Sequence, residues 1–160
     1  MLTFLAHLTA SWSSMYSNSA PLRTAIEFAH VGGLIAGGGT AIAADRMTIR
    51  AARHSPVARQ LQIHHIENTH IVVLAGFAFV VASGLLLFLA DVQTYLHSKV
   101  FWVKMACVVA LCLNGAWLVI AGRRAEVGSV AGWRELKRAA VASLALWFAT
   151  TLLGVALPNV

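Results

Sequence analysis

The chain predicts an all-α integral membrane protein, a four-helix bundle preceded by a short interfacial helix. Two observations carry that prediction. Of the 160 residues, 59% are hydrophobic and only 11% charged, a balance well outside that of soluble domains. Four stretches, residues 22–44, 70–90, 100–121 and 139–157, each approach the roughly 20 apolar residues needed to cross a hydrocarbon core at about 1.5 Å rise per residue. They leave too little chain for a separate soluble domain. Residues 21–160 therefore read as one membrane domain, with any chemistry inside the bundle or at its two faces.

Residues 1–20 begin apolar, but no basic run precedes them and Arg23 comes after. That order is not that of a cleaved signal peptide. Phe4, Leu5, Leu8, Trp12 and Tyr16 fall near helical spacing in a Ser-rich, otherwise neutral context, which predicts a helix lying in the outer interface.

The net charge of +6 is concentrated in two loops. Arg46, Arg50, Arg53 and Arg59 lie in loop 45–69, and Arg123, Arg124, Arg134, Lys137 and Arg138 in loop 122–138. Only Arg23 and Lys99 flank the spans on the other side. The positive-inside rule then places both loops in the cytoplasm, with both termini and the 91–98 hairpin on the far side of a bacterial-type inner membrane. Basic residues so distributed meet anionic lipid headgroups rather than nucleic acid.

Loop 45–69 contains Pro56, and Ile49, Val57, Leu61, Ile63 and Ile66 are interleaved with polar residues. This pattern predicts that the helices run past the membrane as amphipathic ends. Gly128, Ser129 and Gly132 are expected to break the second loop, and Pro158 to end the last span. Ala25, Ala29, Gly33, Gly37 and Ala41 recur every four residues. Such a stripe admits a neighbouring backbone, a second copy of the chain, or a flat ligand. Cys107 and Cys112, five apart on one helix, point in different directions and cannot bridge each other.

Lys104 lies inside the third span, where a charge costs at least ~2.5 kcal/mol on insertion scales and faces an interior or cavity rather than lipid. Glu27 and His30 reach a similar depth on the first span, and Glu27 and Asp91 are the candidate partners of Lys104. Asn114 lies on nearly the same azimuth as Lys104. It either extends a polar track or bonds another helix. Glu27 with His30, and Glu67 with His70, repeat the Glu-x-x-His spacing of di-iron bundles. Depth argues against a shared metal, because His30 sits ~7 Å outward and His70 ~15 Å inward of mid-span at 1.5 Å per residue. A haem between two histidines fails for the same pair. His30 with one other outer ligand remains, and His7, His30 and His97, with Met1, Met15 and Met105, offer imidazole and thioether donors of the kind copper takes. His54, His64 and His65 fall in the first basic loop.

The segment YLHSKVFWVKMACVVALCLN at residues 95–114, together with EFAHVGGLIAGG at 27–38, resembles the CopD copper-resistance group and the related HemJ-type protoporphyrinogen oxidases across about residues 25–121. Leu96, His97 and Lys99 match one form of the motif and Lys104 the other, while His30 corresponds to the first-helix histidine. The resemblance implies a redox- or metal-linked envelope protein with His30 at a haem or porphyrin. The basic, aromatic motif expected at the start of the second helix is replaced here by His64, His65, Glu67 and His70, and no methionine-rich copper relay is present.

Three readings follow. The first is a haem b or porphyrin protein of electron transfer, with His30 as ligand, Gly33 and Gly37 as the close-approach face, and Glu27, Lys104 and His97 around the cofactor. Lys104 would be the counter-charge to a propionate or a quinone oxygen, and a quinone or membrane redox protein the partner. The second is a copper-transport accessory using His7, His30 and His97. The third is a structural subunit whose buried charges only select partner helices.

Overall fold

A computed structural model describes residues 2–54 and 56–157, with the side chains of residues 2–8, 56, 58, 60 and 64–68 excepted. The Met1, His7, His64, His65, Glu67 and Pro158 side chains invoked above lie outside the described residues, as do those of Phe4, Leu5 and Leu8. Among the described residues six helices follow one another: α1 (Leu2–Asn18), α2 (Ala20–Ala51), α3 (Pro56–Ala90), α4 (Val92–His97), α5 (Lys99–Glu126) and α6 (Val130–Ala156). Four helices are long and apolar enough to cross a membrane, Ala20–Ala51, Thr69–Ala90, Lys99–Glu126 and Val130–Ala156.

Serine and aspartate at the breaks explain why the chain turns where it does. Ser19, Ser98 and Ser129 each accept a backbone N–H of the helix they open, and Asp91 does the same for α4. Each cap satisfies one of the orphan donors that a helix N-terminus leaves. Gly128 closes α5 at φ +78°, in the left-handed region that a side chain rarely adopts. Gly132, expected to break the loop, instead lies in the first turn of α6, where a Cβ would stand 2.6 Å from the Ala125 amide nitrogen. It is a contact of two backbones at the tight α5–α6 crossing.

The first span is longer than its composition suggested. Ala44 does not end it; the helix continues through Asp45 to Ala51. Its regular pitch is interrupted by one π-helical turn at Leu34–Gly38. The extra residue turns adjacent glycines toward two different neighbours: Gly37 packs on Gly76 of α3, and Gly38 lies under the Trp147 ring of α6. The small-residue stripe is thus spent on helix packing. A Cβ on Gly33 would meet the Gly76 carbonyl oxygen at 2.8 Å, so no flat ligand fits against Gly33 and Gly37.

Two helix pairs make up the bundle. α5 packs along α6, and α2 packs along α3; the pairs join where the C-terminal part of α2, Gly39–Ala51, meets α6. We call this the arginine-loop end. There Ala51, Ala121, Ala125, Trp133 and Leu136 form one apolar cluster, while Ala41, Leu111 and Trp147 form another nearer the middle. Toward the opposite end, the first half of α2 is carried mainly by α1 and α3. α1 is tied down by the Trp12 indole, which donates to the Leu86 carbonyl at 2.9 Å. Phe88, Tyr95, Phe101 and Trp102 gather around α4, an aromatic grouping of the kind found where a span meets headgroups. Outward positions such as Ile71 (75% exposed) and Phe79 (62%) are apolar, as lipid-facing residues are.

Candidate functional site

His30 and Lys104 come from different helix pairs and lie within electrostatic range of each other. The His30 ring lies over Gly84 of α3, where an added Cβ would touch its Cε1 at 3.2 Å, and its Nδ1 is 3.0 Å from the Ser83 hydroxyl. That hydroxyl has one proton, which it donates to the Phe79 carbonyl one turn back. Its oxygen is therefore left to accept from His30 Nδ1–H. The Val80 carbonyl also accepts from the ring; with Nδ1 as the donor, Nε2 keeps a lone pair that can ligate or accept. A second group that holds the far ring nitrogen is the usual device for aiming an imidazole at a ligand.

Lys104 projects from α5 toward α6, where its Nζ would be 3.4 Å from a Cβ on Gly154. The glycine leaves room for the ammonium. Its charge acts on His30, and among the described residues it makes neither an ion pair nor a hydrogen bond. Neither expected partner is used. Glu27 is exposed and accepts from the Tyr16 hydroxyl at 3.1 Å, while Asp91 caps α4 through the Thr94 amide. Glu27 shares the depth of Lys104 but turns toward α1.

The other predicted ligands do not converge on His30. His97 is exposed at the end of α4 and its Nδ1 donates to the Gln93 carbonyl at 2.8 Å; His70 is exposed on α3. Among the described residues no three His, Cys, Asp or Glu side chains gather as a metal site would require. Cys107 and Cys112 are free thiols. Asn114 bonds across helices rather than extending a track, its Nδ2 reaching the Ala139 carbonyl at 3.1 Å.

The tyrosines at this end are electrostatically tuned. Partial burial, then the hydrogen bond and charge of Glu27, raise the Tyr16 phenol above its ordinary value. Burial, with the charges of Asp91 and Glu27, does the same for Tyr95.

Two polar groups were not singled out from sequence. Ser83 is a polar residue in the otherwise apolar α3 span, and depth counting from the α4 end places it opposite His30. Asp45 is only 5% exposed and has the Ser143 hydroxyl of α6 beside its carboxyl. No protein-family model, no curated protein and no solved structure matches this chain.

Proposed function

We propose that the protein is a multi-pass inner-membrane protein, arginine loops in the cytoplasm, that binds a haem b or porphyrin in its outer half and takes part in electron transfer. The observation that carries this reading is the His30–Ser83 hydrogen bond, which with Nδ1 as donor orients an Nε2 lone pair within electrostatic range of Lys104, an amine without an ion pair among the described residues. The residues fit the group in kind: an imidazole nitrogen suits haem iron, and an intramembrane lysine with no partner among the described residues suits an anionic propionate. Bound there, the haem would supply one-electron chemistry. His30 would hold it, Ser83 would orient His30, and Lys104 would offset its negative charge. Gly33 and Gly37 act at a remove, by setting the α2–α3 spacing on which the His30 position depends.

The full-length protein, purified in detergent from cells supplied with haem precursor, should give an oxidised-minus-reduced haem spectrum. His30→Ala should abolish it. Ser83→Ala should weaken haem retention by about 10- to 100-fold, the usual effect of removing the group that orients a ligand, and Lys104→Leu should weaken it without loss of folded protein. A parent sample with no haem signal, or a His30→Ala variant that keeps the signal intact, overturns the proposal.

A further inference from the structure

Asp45 has a different environment from His30 and is independent of the reading above. It lies on the inward face of α2 between Ala41 and Thr48, all three buried, and its Oδ2 is out of contact with solvent and has no hydrogen-bond partner. The charged and titratable groups near it are otherwise engaged or turned away. Arg46 and Arg50 of its own helix are exposed. On α3, Gln62 donates to the Ala44 carbonyl and to Thr48 Oγ1, and Arg59 donates through Nη2 to the Ala52 carbonyl with its guanidinium over the Trp133 ring, while its Nε is buried without a partner. The His64, His65 and Glu67 side chains on the next turns of α3 lie outside the described residues. On α6 only the Ser143 hydroxyl faces the carboxyl, with Arg138 exposed. Asn114 of α5 is committed to Ala139.

Among the described residues, then, no cation pairs with this carboxyl. A buried ion left alone costs several kcal/mol, so something must complete it. Hard cations take six or more oxygens, and among the described residues no cluster of ligating side chains gathers here. The group that needs no further ligands is a proton.

We propose that Asp45 is a proton-exchange site buried in the arginine-loop half of the bundle. On release, the O–H bond of its carboxyl breaks and the proton passes to a water molecule at the arginine-loop face. The charge left behind is met by the Ser143 hydroxyl, and loading is the reverse. The polar column of Thr48, Gln62 and Arg59 runs from Asp45 toward that face, whereas the apolar contact of Trp147 with Gly38 closes the way to the other side.

Infrared difference spectroscopy of the full-length protein in lipid vesicles tests this. The expected result is a protonated-carboxyl stretch whose amplitude changes with pH, which shifts in deuterated water and which is lost in Asp45→Asn. Asp45→Glu should retain it at a changed position, and Ser143→Ala should shift it without removing it, so the test survives if the asparagine variant fails to fold. A band that is absent from the parent, persists in Asp45→Asn, or ignores deuterated water overturns the proposal. So does a band displaced at constant pH by sodium, which would make the occupant a cation.

Discussion

Gly76→Ala puts a methyl group where two backbones touch. Its Cβ would stand 2.5 Å from both N and Cα of Gly37 and 2.9 Å from the Gly33 carbonyl oxygen. Ordinary carbon contacts are near 3.5–4.0 Å, so α2 and α3 must separate by about 1 Å. Backbone cannot swing aside as a side chain can. A gap of that size forfeits about a quarter to a half of each dispersion contact along the crossing, and overpacking of this kind costs about 1–3 kcal/mol. Gly115→Ala is the matched control, since nothing lies within 4 Å of its Cβ position and alanine gains up to about 1 kcal/mol of helix propensity over glycine. Gly76→Ala gains the same propensity, so the two variants should differ by the overpacking alone, about 1–3 kcal/mol, or about 5- to 100-fold in the unfolding equilibrium at 1.4 kcal/mol per decade. Titration of the purified protein with a denaturing detergent, followed by helical circular dichroism, measures the difference. Equal midpoints and slopes for the two variants would refute the backbone contact and, with it, the α2–α3 spacing that sets the His30 ring on Gly84.

Two further outcomes follow from the ends of the bundle. The Tyr16 phenol, raised above 10.0 in the folded state by burial and Glu27, holds its proton more tightly than the unfolded chain does. Its contribution to stability is thus complete below the ordinary value and is lost as pH rises through the folded one; Tyr16→Phe should show a shallower alkaline fall in melting temperature, and an unchanged slope would sink the assignment. Arg124 pairs with Glu135 at 2.8 Å, but its side chain is 61% exposed, and such pairs contribute about 0–1 kcal/mol. Arg124→Gln should leave the melting temperature nearly unchanged in high salt, and a large loss there would show that the pair has a structural role.

The spans were legible because lipid imposes a length and a composition that few other environments do. The places where the reading failed are those where a side chain's neighbour matters more than its own character. From sequence Asp45 reads as the first residue of a loop, because a charge normally marks the end of an apolar run. Its carboxyl is instead covered by α6, and the helix passes through it to Ala51. Glu27 was placed at the right depth for Lys104, but depth says nothing of azimuth, and Tyr16 of α1 takes it. The charge of Lys104 does reach His30. Applied to hydroxyls as well as charges, the depth count would have found Ser83.

The π-helical turn ties these two polar regions together. An extra residue at Leu34–Gly38 rotates everything beyond it by about 100° relative to a regular helix. Before the turn, α2 presents His30 to α3; after it, the inward face carries Ala41, Asp45 and Thr48 toward α6 and Gln62. Without that residue either His30 or Asp45 would be swung away from its hydroxyl partner. Three consecutive glycines, Gly37, Gly38 and Gly39, allow the turn its close neighbours: Gly37 touches Gly76, Gly38 admits the Trp147 ring, and Gly39 is open. The run reads in sequence as a packing stripe, yet its larger consequence is rotational. It is what lets one helix serve two polar regions that face different partners, at depths separated by the apolar seal of Trp147.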